Sequence, residues 1–219
     1  MAGENLELLS GQAAVQRSAS WDACGGIDAM SIVYNALLPA MWAVFVVYWW
    51  AAAGNVKSND RHEPAFSRIL RLVCIVAAIV LLAWPRLPFF DLDLQLLPSS
   101  PVWFWTGAVV TAAGLLFAVW ARHMLGGNWS QAVTVKEDHQ LVTNGPYALV
   151  RHPIYTGFLF GFLGCALARG ELRGFAAVIL VFAVLFQKLR LEEKWLGGEF
   201  GDDYAAYRRR VRALLPFLL

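Results

Sequence analysis

Two polar segments of this chain hold residue types that do chemistry together. The first runs Asn144-Gly145-Pro146-Tyr147 and then Arg151-His152-Pro153-Ile154-Tyr155-Thr156-Gly157. The second holds Lys188, Arg190, Glu192 and Glu193, followed by Phe200-Gly201-Asp202-Asp203-Tyr204 and Tyr207. In the first, Asn-Gly-Pro predicts a turn, because Gly accepts positive φ and Pro fixes the next φ. Pro153 suits the first position of a helix, where its missing N–H costs nothing. Free N–H groups at such a start attract anions, and Arg151 and His152 stand just ahead of it. In the second, Lys188 and Glu192 are four apart and share one helix face. A carboxylate on an apolar helix is costly near lipid and faces a partner or a wet cavity. Glu192 is therefore a candidate acceptor for a ligand's ammonium or hydroxyl groups. The plainer reading of both segments is interfacial: Arg and His anchoring by snorkelling, and a surface Lys–Glu pair.

The elements that must position these residues are membrane helices. The chain has 219 residues, of which 58% are hydrophobic and 16% charged, with a mean hydropathy of +0.52. Soluble domains usually carry about 25% charged residues. A bilayer core needs about 20 apolar residues in a helix. Apolar runs occur at 32–54, 69–84 and 102–121. A last run, 154–187, is too long for one helix, and Arg169, Gly170, Glu171 and Arg173 divide it into a hairpin. The expected fold is an all-α integral membrane protein of about five transmembrane helices. Its last two form the hairpin, and a cytoplasmic pocket is built from the loop before it and the C-terminal segment. The expected organisation is a polar tail at 1–29, three transmembrane helices at 30–121, and a catalytic region at 122–219. The tail lacks the basic start and apolar core of a signal peptide.

Charge placement sets the orientation. With the N-terminus outside, 14 basic residues fall on the cytoplasmic side and 4 on the other, which predicts a cytoplasmic C-terminus and site. The cluster Arg208–Arg212 lies beside a membrane exit, so anionic lipid headgroups are its expected partners, not nucleic acid. Three cysteines without a C-x-x-C pair and four histidines without ligand spacing argue against a metal site.

Together the two segments resemble the isoprenylcysteine carboxyl methyltransferase family, with its related phospholipid methyltransferases. The matching elements are Gly145-Pro146-Tyr147, Arg151 to Gly157, Glu192-Glu193, and Phe200 to Tyr207, within about 122–219. The resemblance implies S-adenosylmethionine as methyl donor, S-adenosylhomocysteine as product, and no Rossmann sheet. It implies cofactor contacts from His139, Gln140, Leu141, Val142, Tyr147, Arg151, His152, Pro153, Ile154, Tyr155 and Glu192. Glu192 and Lys188 are the expected catalytic residues, and Lys188 and Arg190 the acceptor-binding ones. Lys188 stands where eukaryotic members place an arginine facing a carboxylate. Lysine is a point charge and cannot form arginine's bidentate carboxylate pair. The expected acceptor is amphiphilic or lipid-like, with a carboxylate, amine or thiol nucleophile left open, as is the oligomeric state. Methyl transfer from a sulfonium needs no metal, and alignment of the reactants can supply about 7–11 kcal/mol.

Two other classes compete. A membrane reductase using NADPH would share the C-terminal architecture but carry more helices upstream. A non-catalytic membrane module, such as a scaffold or transporter subunit, would bind no cofactor. Transport usually places ionisable residues mid-helix, and these apolar runs are nearly free of charge.

Overall fold

The computed structural model describes residues 29–53, 65–83, 92–125 and 141–215. Among the described residues there are five long helices: α1 (Ala29–Ala53), α2 (Ala65–Ala83), α3 (Pro101–Leu125), α4 (Pro153–Arg169) and α5 (Leu172–Arg210). A short 3-10 turn, Gly145–Ala148, precedes α4. The chain divides into two compact units, 1–39 and 40–219. The packing below lies within the second. The expected tail lies outside the described residues.

Among the described residues, three helices are long and apolar enough to cross a membrane: α1, α3 and α5. α4 is apolar but has 17 residues. α2 has 19, with Arg68 and Arg71 in its first turns. The chain is an integral membrane protein with the expected hairpin at its C-terminal side. α5 differs from the expected short arm. It continues through the charged residues after Gln187 to a total of 39 residues. Up to the break at Gly201 it is about 43 Å long at 1.5 Å per residue, beyond a hydrocarbon core of about 30 Å. Residues 188–196 continue the helix because Lys, Leu, Arg and Glu are good helix formers and Leu189 is buried beneath them. The run changes direction at Gly201, whose φ of 47° and ψ of −118° are non-helical. A Cβ would make that conformation costly.

α3 and α4 meet through matched faces. Gly107, Thr111, Gly114 and Ala118 repeat at intervals of four, three and four, and so do Gly157, Gly161, Gly164 and Ala168. This spacing keeps each set on one side of its helix. A Cβ on Gly114 would lie 2.6 Å from the carbonyl oxygen of Gly157, and one on Gly164 would strike Thr111 and the Gly107 carbonyl. The backbones approach as closely as small residues allow, the usual basis of helix association in lipid. Thr111 donates to the Gly161 carbonyl at 3.3 Å.

Aromatic residues fill the adjoining layer. Trp42 packs edge-on against Phe45 and Phe162, and its Nε1 donates to Cys165 Sγ at 3.3 Å. Ala78 of α2 packs with Phe162, Ala177, Val181 and Leu185. Arg122, near the end of α3, donates from Nη2 to the carbonyl of Ala52 at 2.7 Å. That carbonyl belongs to the last turn of α1, which has no helical donor.

The hairpin turn is clasped by residues 92–97. The amides of Leu96 and Leu97 donate to Gly170 O, and those of Leu172 and Arg173 donate to Leu94 O and Leu92 O. Arg173 is 1% exposed. Its Nε pairs with Glu171 and lies 3.3 Å from Asp93 Oδ1. Arg169 donates from Nη1 to Leu82 O at 2.6 Å.

Candidate active site

The site forms where the start of α4 meets the polar half of α5 and the segment 211–215. Pro153 opens α4, as its fixed φ and missing donor favour. The two residues before it are held by backbone bonds to the chain's far end. The amide of Arg151 donates to Arg212 O at 2.8 Å, and that of His152 donates to Ala213 O at 3.0 Å. Val150 and Arg212 form a parallel bridge. Thr156 adds a buried side-chain tie, donating from Oγ1 to Leu214 O at 2.7 Å.

His152 lies between two consecutive carboxylates. Its Nδ1 is 3.7 Å from Glu192 Oε2, and its Nε2 is 3.5 Å from Glu193 Oε1. Neighbours on a helix point about 100° apart, which lets the two carboxylates flank one ring. The imidazole is 8% exposed, and Nε2 has no hydrogen-bond partner among the described residues. The ring stacks on Tyr155 with centroids 5.4 Å apart and planes 3° from parallel. The Tyr155 hydroxyl donates to Glu192 Oε1 at 2.6 Å. Lys188 Nζ lies 3.5 Å from the same oxygen and 5.5 Å from the centre of the Tyr155 ring.

Arg151 does something else. Its Nε donates to Glu193 Oε1 at 2.9 Å, and Nη2 donates to the same oxygen. Nη1 donates to the carbonyls of Val211 and Arg208. Arg208 Nε stands 3.8 Å from the other oxygen of Glu193.

Behind these groups, the Tyr207 hydroxyl donates to the carbonyl of Tyr147 at 2.6 Å. Burial, then the neighbouring Tyr207 and Glu192, push the Tyr147 hydroxyl well above the usual phenol range. It remains a neutral donor at any physiological pH.

The structure therefore brings together His152, Tyr155, Lys188 and Glu192 by side-chain contact, with Pro153 and Ile154 in the first turn of α4. Tyr147 is adjacent, through its carbonyl. Leu141 and Val142 are half-buried in the irregular segment before the 3-10 turn. His139 and Gln140 lie outside the described residues. Arg190 is not part of this cluster. It is exposed and sits over the Phe186 ring, 5.3 Å from its centre. Two residues from Lys188, it points about 200° away round the helix. The pairing of Glu193 with Arg151 was not evident from spacing, since 42 residues separate them. An acidic residue adjacent to Glu192 was the visible signal.

This arrangement defines a class: a helical membrane protein with a polar site built at the mouth of a hairpin, without a sheet among the described residues. Residues 102–203, which include His152 and Glu193, match the model of the phospholipid methyltransferase family. The chain is 38% identical over 99 residues to protein-S-isoprenylcysteine O-methyltransferase of Schizosaccharomyces pombe, covering 42% of this chain and 41% of that protein. To the Saccharomyces cerevisiae enzyme of the same name it is 29% identical over 166 residues, covering 74% of this chain and 66% of that protein. The chain thus spans less than two thirds of the length of these relatives. A solved structure of a eukaryotic intramembrane Ras methyltransferase, isoprenylcysteine carboxyl methyltransferase, superposes with a TM-score of 0.49 at 22% identity, covering 73% of this chain and 55% of that one.

Proposed function

We propose that this chain transfers a methyl group from S-adenosylmethionine to an amphiphilic acceptor at the membrane interface, releasing S-adenosylhomocysteine. The observation that carries this reading is the packing of His152 and Tyr155 against Glu192, inside a segment that matches the phospholipid methyltransferase family.

The residues suit the cofactor. Glu192 is an acceptor for ammonium or hydroxyl groups, and its side chain retains 16% exposure. His152 is buried with its Nδ1 3.7 Å from Glu192 Oε2, so its ring lies beside the carboxylate that would meet the ligand. The first turn of α4, with Pro153, Ile154 and Tyr155, offers a helix N-terminus to a carboxylate. Leu141, Val142, Tyr147 and the undescribed His139 and Gln140 complete the proposed cofactor set. When bound, S-adenosylmethionine supplies an activated methyl on a sulfonium centre, so the protein's task is alignment and exclusion of water. Lys188 presents its ammonium to the acceptor. Glu192 takes the proton if the nucleophile is an amine, and a carboxylate nucleophile has none to give up. Arg190, on another face, meets the acceptor's approach from the interface.

The same reading places the N-terminus outside and the site at the cytoplasmic surface, on the charge bias of 14 basic residues against 4. Residues 122–219 act as the catalytic region, 30–121 as its membrane anchor and 1–29 as a tail. The lipid-like acceptor accords with the names of the yeast relatives, which act on isoprenylcysteine.

Calorimetric titration of the purified chain in detergent with S-adenosylhomocysteine, against NADPH as comparison, tests the reading. Binding of the first alone supports it. Binding of NADPH alone replaces it with a reductase.

A further inference from the structure

We infer that Arg151 and Glu193 form a positioning pair: they lock residues 211–215 against the start of α4 and so fix His152 and Glu192, without touching either reactant. The inference rests on the methyltransferase reading and differs from a direct cofactor role for Arg151.

Three observations support it. Every nitrogen of the Arg151 guanidinium is engaged within the protein: Nε and Nη2 by Glu193, and Nη1 by the carbonyls of Val211 and Arg208. The side chains of the pair are only 7% and 9% exposed, so both are withdrawn from the surface where ligands arrive. The residue also ties the same segment through its main chain, donating to Arg212 O.

The consequence for the site follows from chain geometry. His152 is the next residue after Arg151, and its amide is bonded to Ala213 O. Glu192 is the residue before Glu193. Fixing Arg151 on Glu193 therefore fixes the two neighbours that face one another across 3.7 Å. Arginine suits this task because its planar fork reaches a carboxylate and two carbonyls at once, which an ammonium cannot do in the same geometry.

The test compares wild-type full chain in detergent with Arg151→Lys, Glu193→Gln and the double variant. Three quantities are read: affinity for S-adenosylhomocysteine, the split between kcat and KM for S-adenosylmethionine, and the rate of trypsin cleavage at Arg208–Arg212. The expected result is a weaker affinity and higher KM by about tenfold to a hundredfold, a kcat that falls much less, and faster cleavage at 208–212. The double variant should be no worse than the poorer single one, because the two residues act as a unit. Additive losses would overturn the pairing. Weakened binding without faster cleavage would overturn it too, since that pattern marks a direct contact. Affinity and cleavage both unchanged in a folded variant would do the same. Glu193→Gln keeps the side chain's shape and remains readable where Arg151→Lys does not fold. The wild type gives a further check by hydrogen exchange: the amides of Arg151 and His152 should be as protected as those within α4, and rapid exchange there sinks the lock. A wild type that binds no S-adenosylhomocysteine removes the methyltransferase reading alone. The cleavage and exchange results then still decide whether the lock exists.

Discussion

The rings of His152 and Tyr155 lie nearly parallel, 3° apart in plane and 5.4 Å apart in centre, at the first turn of α4. Through this stack the tyrosine hydroxyl is aimed at Glu192, 37 residues away in sequence. Two residues of one motif thus converge on a single carboxylate of another.

Removing that hydroxyl isolates its contribution. Tyr155→Phe keeps the stack and loses one hydrogen bond to a charged group, a type of bond valued at about 1.5–3 kcal/mol. Affinity for S-adenosylhomocysteine should fall by roughly tenfold to a hundredfold, and Glu192→Ala should fall at least as far. Unaltered calorimetric affinity in both would remove Glu192 from the cofactor site.

Lys188 sits over the Tyr155 ring and near Glu192, so its charge is available to an acceptor approaching the same surface. Lys188→Ala should reduce kcat/KM for the acceptor more than it reduces cofactor affinity. Lys188→Arg should favour carboxylate acceptors over amines, because a guanidinium pairs with a carboxylate through two parallel bonds. Equal losses of cofactor and acceptor would contradict this division.

The α3–α4 contact predicts a stability effect with a built-in control. Gly164→Ala puts a methyl group against Thr111 and the Gly107 carbonyl, and overpacking of this kind costs about 1–3 kcal/mol. Gly198→Ala adds the same group where nothing lies within 4 Å, and helix propensity makes it neutral or stabilising by up to about 1 kcal/mol. Melting in detergent should separate the two variants. Equal melting would mean that the helices move apart at no cost.

Arg173 gives the converse case, stability without function. Arg173→Ala removes the buried partner of Glu171 and leaves it Arg169, whose Nε is 3.3 Å away; breaking a buried ion pair outright costs about 3–5 kcal/mol. Glu171 and Asp93 keep 20% and 39% side-chain exposure, so the expected loss is at the lower end. The folded fraction should bind S-adenosylhomocysteine with wild-type affinity, since the hairpin turn is at the far end of α4 from His152. A specific loss of affinity would show that the turn and the site are coupled.

Much of this architecture could be read from residue order. The apolar run 102–121 became α3 at Pro101–Leu125, and Arg169 to Arg173 marked the hairpin turn. Pro153 was legible as a helix start because proline's restriction is local. α5 was not legible beyond Gln187, because charged residues that favour helix look like the end of a membrane span when only hydropathy is read. The tie between Val150 and Arg212 is made by backbone groups, which leave no periodic signal in side chains. Arg151 was misleading for a related reason. An arginine beside a helix start looks like an anion site, and only its partners reveal that the guanidinium is already engaged. Gly107, Gly114, Gly157 and Gly164 carried a readable spacing, but which pair of helices they join became clear only in three dimensions.

The segment 211–215 also bears on how the protein is made. It leaves the ribosome after α5, yet its carbonyls at Arg212, Ala213 and Leu214 hold Arg151, His152 and Thr156. A chain still being inserted carries both motifs in its nascent form but lacks the piece that sets their geometry. The geometry of the site is therefore completed late in synthesis, and a chain released early at the level of α5 would lack the ties that set it.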